Sequence, residues 1–400
     1  MSSPPAPDRW IGALVASTLL VVGTTMPGFL VAALAPKISQ SFAFGPAELG
    51  VAIAVFNGMG ALTSTRIGRL VDDLGTTPML VIGIGACAAA SLTIGAVAGS
   101  ALAVTALLAV IGVGRTVSSP VAGILASSHV APGRRGLTIG AQQAGAPFGS
   151  VAAGLALPLL AGPLGWRPVF ALASALMVGS ACAVRRELGP SQRRPAHERA
   201  ARRAAGPPMR PVRIAAIANT LGNAAAFGML AFLVVYAVEH GVSLALAGTL
   251  LAAVSVLSAV TRIALGHLAD RRGGDRIGGV VVLLAAATGG YLLLIVGTPA
   301  AVVVGALIGG LGWGWGGLMM LAVVERHAEA PGEMISLTMS GIFLGACLGP
   351  LIAGVLIAQL SYTAAWIACA ALAGTAAGLF AAVRAELRPA VVLDGSAARP

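Results

Sequence analysis

Two arginines that fall inside apolar segments are the side chains of this sequence best suited to bind a ligand. Arg115 lies about nine residues, or about 13 Å along a helix, from the end of its segment. An unpaired arginine at the middle of a bilayer costs at least about 2.5–3.5 kcal/mol, so it needs a partner or a wet cavity. Because a guanidinium offers parallel donors to a carboxylate, Arg115 predicts an anion site, with a structural pairing as the alternative.

Arg262 is the second such arginine, and it lies closer to the end of its segment. It precedes Gly266 by four residues, which corresponds to about 6 Å of helix. Its side chain can therefore extend to the membrane interface without any ligand. We nevertheless predict that Arg262 is a secondary ligand of the same anion, with extension to the interface as the alternative.

Amide and indole side chains also fall within the apolar segments. They are Asn57, Gln142, Gln143, Asn219, Asn223, Trp313 and Trp315. Buried amides need hydrogen-bond partners, so they either face a polar cavity or bond to a neighbouring helix. Asn219 and Asn223 are four residues apart and share one helix face. We predict that these seven residues bind substrate, with interhelical hydrogen bonds and packing as the alternatives.

Other kinds of chemistry lack the residues that they need. No Asp or Glu lies near the centre of an apolar segment, so proton coupling would have to use the charge of the substrate itself. The sequence has no GxSxG, HExxH or GxxxxGKS/T pattern, and its four cysteines form no CxxC pair. We therefore predict no enzyme activity, no metal site, no cofactor and no ATP-driven step.

The composition indicates what must position these residues. Of 400 residues 57% are hydrophobic and only 10% are charged, against about 45–50% and about 25% in soluble domains, which excludes a soluble or disordered chain. A membrane-spanning helix takes about 20 residues, so twelve fit with short loops. Because the backbone in lipid must satisfy its own hydrogen bonds, apolar segments of this length predict helices. They lie near residues 10–34, 47–66, 79–98, 101–124, 137–160, 168–184, 212–238, 244–265, 277–297, 299–324, 334–358 and 364–383.

The distribution of basic residues predicts the topology. If the N-terminus is inside, only Lys37 and Arg167 of the 25 basic residues fall in external segments, and Arg115 and Arg262 lie within spans. The other 21 fall on the cytoplasmic side, as the positive-inside tendency requires. We predict a multi-pass protein of the plasma membrane with both termini in the cytoplasm. The single lysine and the abundance of Ala and Gly suggest a GC-rich bacterial genome, and we predict that the membrane is the cell inner membrane.

An arginine- and proline-rich stretch at residues 185–211 divides the chain into two halves. It predicts a cytoplasmic linker that lies on anionic lipid, because no aromatic residues interleave its charges as nucleic-acid binding would require. We predict an N-terminal six-helix bundle at 1–184, a C-terminal six-helix bundle at 212–384 and a cytoplasmic tail at 385–400.

The two halves also repeat each other in sequence. Residues 68–75 match residues 266–273 at an offset of 198, and residues 112–114 match residues 312–314 at an offset of 200. Parallel repeats of this kind are typical of one class of secondary transporter. The second offset pairs Arg115 with Trp315, and an arginine facing an aromatic ring suits an anion with an apolar body.

The repeated residues resemble the signature of the major facilitator superfamily, G-x-L-x-D-R-x-G-R/K. The first copy is Gly68-Arg69-Leu70-Val71-Asp72-Asp73-Leu74-Gly75, and the second is Gly266-His267-Leu268-Ala269-Asp270-Arg271-Arg272-Gly273. Arg115 is similar to the helix-4 arginine of that family. Gly145-Ala146-Pro147-Phe148-Gly149 is similar to its helix-5 Gly/Pro motif.

The resemblance implies that the loop after the second span, and its copy after the eighth, gate the transporter by charge pairing. Asp72, near a helix N-terminus, would contact a neighbouring helix in the closed state. The first copy has Asp73 where the family has a basic residue, so its latch is expected to be the weaker. The predicted gating residues are Gly68, Asp72, Gly75, Gly266, Asp270 and Arg271.

The resemblance further implies an all-helical membrane fold of two six-helix bundles related by a pseudo-two-fold axis. Spans 1, 2, 4, 5, 7, 8, 10 and 11 would surround a central cavity, and the solute would cross by alternating access. Arg115 and Arg262 favour uptake or exchange of a small organic anion such as a carboxylate, because proton-linked monocarboxylate carriers of this family have a helix-8 arginine. Trp313 and Trp315 favour the alternative, efflux of a drug-like or lipophilic compound.

The predicted partners follow from this function. They are the small-molecule substrate, the lipid bilayer and, for a coupled carrier, protons. Nucleic acid is not among them, and we expect the protein to be a monomer.

Overall fold

The computed structural model describes residues 7–127, 140–141, 143–188, 210–272, 274–326 and 331–386. These residues form helices and short turns, with no strand among them. Twelve helices in this part of the chain are long and apolar enough to cross a membrane, which confirms the predicted all-helical, twelve-span fold.

Six helices belong to each half of the chain. The first six are α1 (Pro7–Ile38), α2 (Pro46–Leu74), α3 (Thr76–Val97), α4 (Ala101–Gly114, Arg115–Val117 and Ser118–Ser127), α5 (Gly145–Ala156, Leu157–Ala161 and Gly162–Leu164) and α6 (Arg167–Leu188). The second six are α7 (Arg210–Glu239), α8 (Leu244–Arg272), α9 (Arg276–Leu294), α10 (Pro299–Gly312, Trp313–Trp315 and Gly316–Arg326), α11 (Pro331–Gln359) and α12 (Tyr362–Glu386).

The two ends of the molecule differ in what joins the helices. We call the end where α6 stops and α7 starts the linker face, and the other end, with the short turns after α1, α3 and α5, the opposite face. Helix α6 runs on to Leu188, because Arg185 and Arg186 in its last turn complement the negative end of the helix dipole. Most of the predicted linker at 185–211 and of the predicted tail at 385–400 lies outside the described residues, which end at 188, resume at 210 and end again at 386.

A short 3₁₀ turn interrupts α4 and α10 at equivalent places. The turns are Arg115–Val117 and Trp313–Trp315, which are 198 residues apart. A Cβ on Gly112 would lie 2.3 Å from the carbonyl oxygen of Phe56, and a Cβ on Gly310 would lie 2.7 Å from that of Val254, again at an offset of 198 in both partners. The offset of 200 predicted for this region is thus wrong by two residues, because glycine is too abundant to set a register. Arg115 corresponds to Trp313, not to Trp315.

The two bundles make their most extensive contacts along two pairs of helices, α2 with α11 and α5 with α8. A Cβ on Gly50 would lie 2.6 Å from the carbonyl oxygen of Pro350, and one on Gly154 would lie 2.6 Å from that of Gly248. Only glycine allows helix backbones to approach this closely, as at small-residue interfaces of membrane helices. The seams between the bundles therefore rest on backbone contact and tolerate no added side chain at these points.

The bundles enclose their interior more completely on the opposite face. There most residues of α1 and α7 are buried, and Leu34, Ile38 and Phe232 are at 0% exposure. At the linker-face ends of the same helices Val15 and Ile217 are 51% and 56% exposed. Helices α1 and α7 touch each other between the bundles, so this gradient indicates that the halves are drawn together on the opposite face.

The gating motif lies on helices rather than in a loop, which corrects the expectation from the sequence. Helix α2 continues through Leu74, and only Gly75, at φ 97°, separates it from α3. The helix ends there because glycine adopts a positive φ without a Cβ clash. Residues 266–272 of the second copy likewise form the last turns of α8, and Gly274, at φ 106°, follows shortly after them.

Candidate functional site

A central cavity of about 130 Å³ lies between the bundles. Helices α1, α2, α4 and α5 of the first half and α7, α8, α10 and α11 of the second half contribute to its wall. These are the eight spans that the resemblance implied. Among the described residues, α3, α6, α9 and α12 contribute none to the wall.

Arg115 enters this cavity from the 3₁₀ turn of α4 and is only 7% exposed. Its Nη2 donates to Oδ1 of Asn57 at 2.8 Å, and the Asn57 amide in turn donates to the Ile53 carbonyl at 2.9 Å. The Nε of Arg115 is buried without any hydrogen-bond partner among the described residues. Buried donors are nearly always paired in folded proteins, so this nitrogen calls for a ligand or a water molecule.

Aromatic rings from both bundles pack against the Arg115 guanidinium. Its central carbon lies 4.1 Å from the ring centroid of Phe56 on α2 and 4.8 Å from that of Phe343 on α11. A desolvated cation–π contact contributes up to about 2 kcal/mol, so two of them offset much of the cost of burying the cation. Phenylalanine rings have no oxygen that could accept a hydrogen bond. Most of the N–H donors of the Arg115 guanidinium therefore have no acceptor among the described residues.

Arg262 also reaches the cavity, from α8, and is as buried as Arg115. Its donors are directed to protein oxygens: Nη2 to the Trp313 carbonyl at 2.8 Å, Nη1 to the Gln143 carbonyl at 3.2 Å and Nε to Oγ of Ser258 at 3.4 Å. Its guanidinium carbon lies 5.1 Å from the Trp313 ring centroid. The side chain therefore turns inward to three protein acceptors and lines the cavity, and it does not take the alternative course to the membrane interface.

Three further rings form a cluster on the cavity wall. Phe29 of α1 and Phe227 of α7 stack at 6.1 Å between centroids, and Trp313 of α10 meets them edge-on at 6.3 and 5.9 Å. We call Phe29, Phe227 and Trp313 the aromatic trio. Since Phe29 comes from the first bundle and the other two from the second, the trio joins the halves across the cavity.

The predicted amides separate into two groups. Asn57, Gln143 and Asn223 line the cavity. Asn219 does not line it: its amide donates to the Thr338 carbonyl of α11 at 2.8 Å, while its own oxygens accept from the Asn223 amide. Asn219 thus holds α7 to α11, the alternative that the sequence left open. Gln142 lies outside the described residues.

Trp315 is not brought to the cavity. It packs against Phe380 of α12 at 5.9 Å between centroids and belongs to a buried cluster that includes Leu284 of α9. Residues two apart on a helix point about 200° apart, so Trp313 and Trp315 cannot share one face. The structure therefore assigns only the first of the two tryptophans to the cavity wall.

The remaining predicted residues lie away from the cavity. Asp270 and Arg271 are exposed at the linker-face end of α8, with Gly266 buried one turn before them. Gly68 and Asp72 lie in the last turns of α2, and Gly75 follows that helix. Among the described residues no acidic side chain lines the cavity, and no group of acidic, histidine or cysteine side chains there could hold a metal ion.

Sequence reasoning missed the phenylalanines of the site. Phe29, Phe56, Phe227 and Phe343 all line the cavity together with Trp313. Only 4% of the chain is aromatic, so an aromatic residue near the middle of a cavity-lining span was itself a signal. A helix that is apolar all round hides that signal, because periodicity cannot distinguish a face toward a cavity from one toward lipid.

Comparison with known proteins agrees with this architecture. A family model described as the Major Facilitator Superfamily matches residues 14–350. A search of curated proteins finds no match.

Proposed function

Because the chain belongs to the Major Facilitator Superfamily, whose members are transporters of small solutes and not enzymes, we propose that it carries a small organic anion. A carboxylate is the first candidate, taken up or exchanged by alternating access of a central site. The observation that carries the proposal is Arg115: a buried cation with an unpartnered Nε and no carboxylate partner among the described residues.

The chemistry of Arg115 favours an anion over other solutes. A guanidinium has five donors, and Arg115 uses one of them on Asn57. A carboxylate can accept two parallel N–H bonds from such a fork, and charge-assisted bonds of this kind are about twice as strong as neutral ones. A cationic solute would meet repulsion from both Arg115 and Arg262, with no acidic side chain in the described cavity wall to offset it.

The rest of the wall favours an anion with a flat apolar body. The aromatic trio supplies ring faces and edges, and Met339, Ile342 and Ala346 add apolar surface from α11. Ligand sites of this type combine a mostly apolar wall with a few convergent polar groups. An aromatic carboxylate such as benzoate is therefore a suitable probe.

Efflux of a drug-like or lipophilic compound is the second candidate. The aromatic trio is the observation in its favour, because rings from both bundles can hold an uncharged apolar molecule as readily as an anion. The two candidates differ in what they require of Arg115: an anion needs its charge, whereas a neutral lipophile does not.

Orientation and coupling form part of the proposal. The linker face is taken as cytoplasmic, because Lys37 and Arg167 are the only basic residues of the sequence predicted for external segments. A cysteine at Gln192 should then resist labelling from outside intact cells. With no carboxylate in the described wall, an accompanying proton would move with the charge of the substrate, and a monomer suffices for transport.

Binding to purified protein in detergent tests the proposal. Calorimetry would compare benzoate with benzyl alcohol and benzylamine, which keep the ring but replace the negative charge with no charge or a positive one. We expect benzoate to bind and the other two not to bind. Binding of benzyl alcohol as tight as that of benzoate would favour the lipophile instead. Flux of labelled benzoate into protein-containing vesicles would then establish transport.

A further inference from the structure

We propose that Arg262 is a tie between the two bundles, which limits how far α5 and α8 separate on the linker face. The contact between these two helices is called the α5–α8 seam below. The inference does not depend on which solute is carried, because it rests on bonds within the protein.

The tie crosses the seam through a backbone acceptor. Nη1 of Arg262 on α8 donates to the carbonyl oxygen of Gln143, in the helical segment that leads into α5, and Nη2 donates to that of Trp313 on α10. One guanidinium thereby joins the first bundle to two helices of the second. Because backbone carbonyls move only with their helices, the bond to Gln143 survives only while the seam stays closed.

Proline explains why the Gln143 carbonyl is available. In a regular helix the carbonyl of residue 143 would accept from the N–H of residue 147, but residue 147 is Pro147, which has no N–H. The helix is locally irregular here, with a turn at Ala144. A carbonyl left without a partner is costly within a membrane, and Arg262 supplies the missing donor from the other bundle.

The seam is tight at this level. A Cβ on Gly140 would lie 2.8 Å from the Arg262 carbonyl oxygen, so the two backbones touch. The next such contact, Gly154 with Gly248, lies fourteen residues further along each helix, about 21 Å toward the opposite face. Arg262 therefore acts at the linker-face end of a contact that extends along the whole seam.

The bond to Trp313 connects the tie with the cavity. Arg262 holds the carbonyl of the first residue in the 3₁₀ turn, and the ring of that residue belongs to the aromatic trio. Closing the seam and placing the Trp313 ring are thus controlled by one side chain. Arg262 is a positioning residue in this scheme, and Arg115 remains the anion ligand.

Distances between spin labels test the tie without any ligand. The labels would be attached at Arg185→Cys on α6 and His267→Cys on α8, both exposed near the linker face, after the four native cysteines are replaced. In Arg262→Gln we expect longer distances, with the ratio of parted to closed molecules raised about tenfold by loss of charge-assisted bonds.

Two further variants make the test specific. Pro147→Ala restores an N–H that competes for the Gln143 carbonyl, so it should lengthen the distance in the same direction although Arg262 is intact. Ser258→Ala removes only the longest contact of Arg262, at 3.4 Å, and should leave the distances unchanged. The Pro147→Ala result also guards against misfolding of Arg262→Gln, which size-exclusion chromatography would reveal.

The outcomes separate the tie from a ligand role. If Arg262→Gln and Pro147→Ala both keep the wild-type distances, the tie is rejected. Loss of benzoate binding in Arg262→Gln with unchanged distances would likewise reject it and make Arg262 a ligand. Failure of the wild type to bind benzoate would overturn the proposed function. The spin-label distances would still decide whether Arg262 ties the bundles, because they are measured without a ligand.

Discussion

Arg115 and Arg262 are buried to the same extent in the same cavity, 7% exposed each, yet their surroundings differ. Arg115 contacts two aromatic rings and one amide oxygen, and its Nε has no hydrogen-bond partner in the part of the chain that the structure describes. Arg262 has two carbonyls and a hydroxyl, one of them from the other bundle. Burial by itself therefore does not distinguish a side chain that waits for a ligand from one that holds helices together. The unused Nε donor of Arg115 distinguishes the two arginines.

Exchanging each arginine for lysine should give the largest difference. Lysine keeps the charge but cannot present a planar fork, so Arg115→Lys should lose about ten- to hundredfold in benzoate affinity. Arg262→Lys should lose much less, because its partners lie in the protein. Calorimetry on both variants, with size-exclusion profiles as the folding control, measures the difference. Equal affinities in Arg115→Lys and the wild type would make Arg115 structural.

Giving Arg115 an internal carboxylate should remove the difference between the two arginines. Asn57→Asp is nearly isosteric and places a carboxylate where the amide oxygen accepts from Nη2 at 2.8 Å. The new ion pair would compete with a bound anion, so we expect about tenfold weaker benzoate binding. Ser258→Asp, beside Arg262, is the matched control and should weaken binding less. A larger loss of benzoate affinity in Ser258→Asp than in Asn57→Asp would contradict the assignment of Arg115 as the ligand.

The two tryptophans of α10 offer a smaller but sharper contrast. Trp313→Leu removes a ring from the aromatic trio, so benzoate affinity should fall about two- to tenfold, the range of an aromatic contact, while acetate affinity stays the same. Trp315→Leu should lower the melting temperature and leave benzoate affinity unchanged, because Trp315 packs on Phe380 outside the cavity. Loss of benzoate affinity in both variants alike would show that packing, not ring contact, is responsible.

The two copies of the gating motif should show the smallest effects. Asp72→Asn and Asp270→Asn should slow flux into vesicles without changing benzoate affinity, and Asp270→Asn should do more because Asp73 stands at the basic position of the first copy. Charge pairs near the surface contribute about 0.2–1 kcal/mol, so the rate should fall by no more than about fivefold. Wild-type rates in both variants would reject the latch.

Much of the candidate site followed from residue type and depth. Arg115, Asn57, Gln143, Asn223, Arg262 and Trp313 were all predicted, and all line the cavity. Trp315 and Asn219 were predicted too and lie elsewhere. The difference is one of direction around the helix axis: depth can be counted along a sequence, whereas the azimuth of a residue is visible only if one face is more polar than another. Apolar helices with buried glycine seams give no such contrast.

The register of the repeat shows the same limit. Glycines at 112, 114, 312 and 314 matched at an offset of 200, whereas the 3₁₀ turns and the backbone contacts of Gly112 and Gly310 agree on 198. A two-residue shift moves a side chain by about 200° around a helix. The wrong offset therefore paired Arg115 with Trp315, whereas the structure pairs it with Trp313.

The sequence by itself determined the twelve spans, the two halves and the buried cations, because hydropathy, length and the cost of charge in lipid are local properties. Tertiary structure alone decided what each cation touches. The carbonyl that Pro147 leaves without a donor is 119 residues from the arginine that bonds to it, and Phe343 is still further along the chain from Arg115. Such partners are set by the packing of helices from different bundles, which depends on the three-dimensional register of glycine contacts and not on any pattern along one segment.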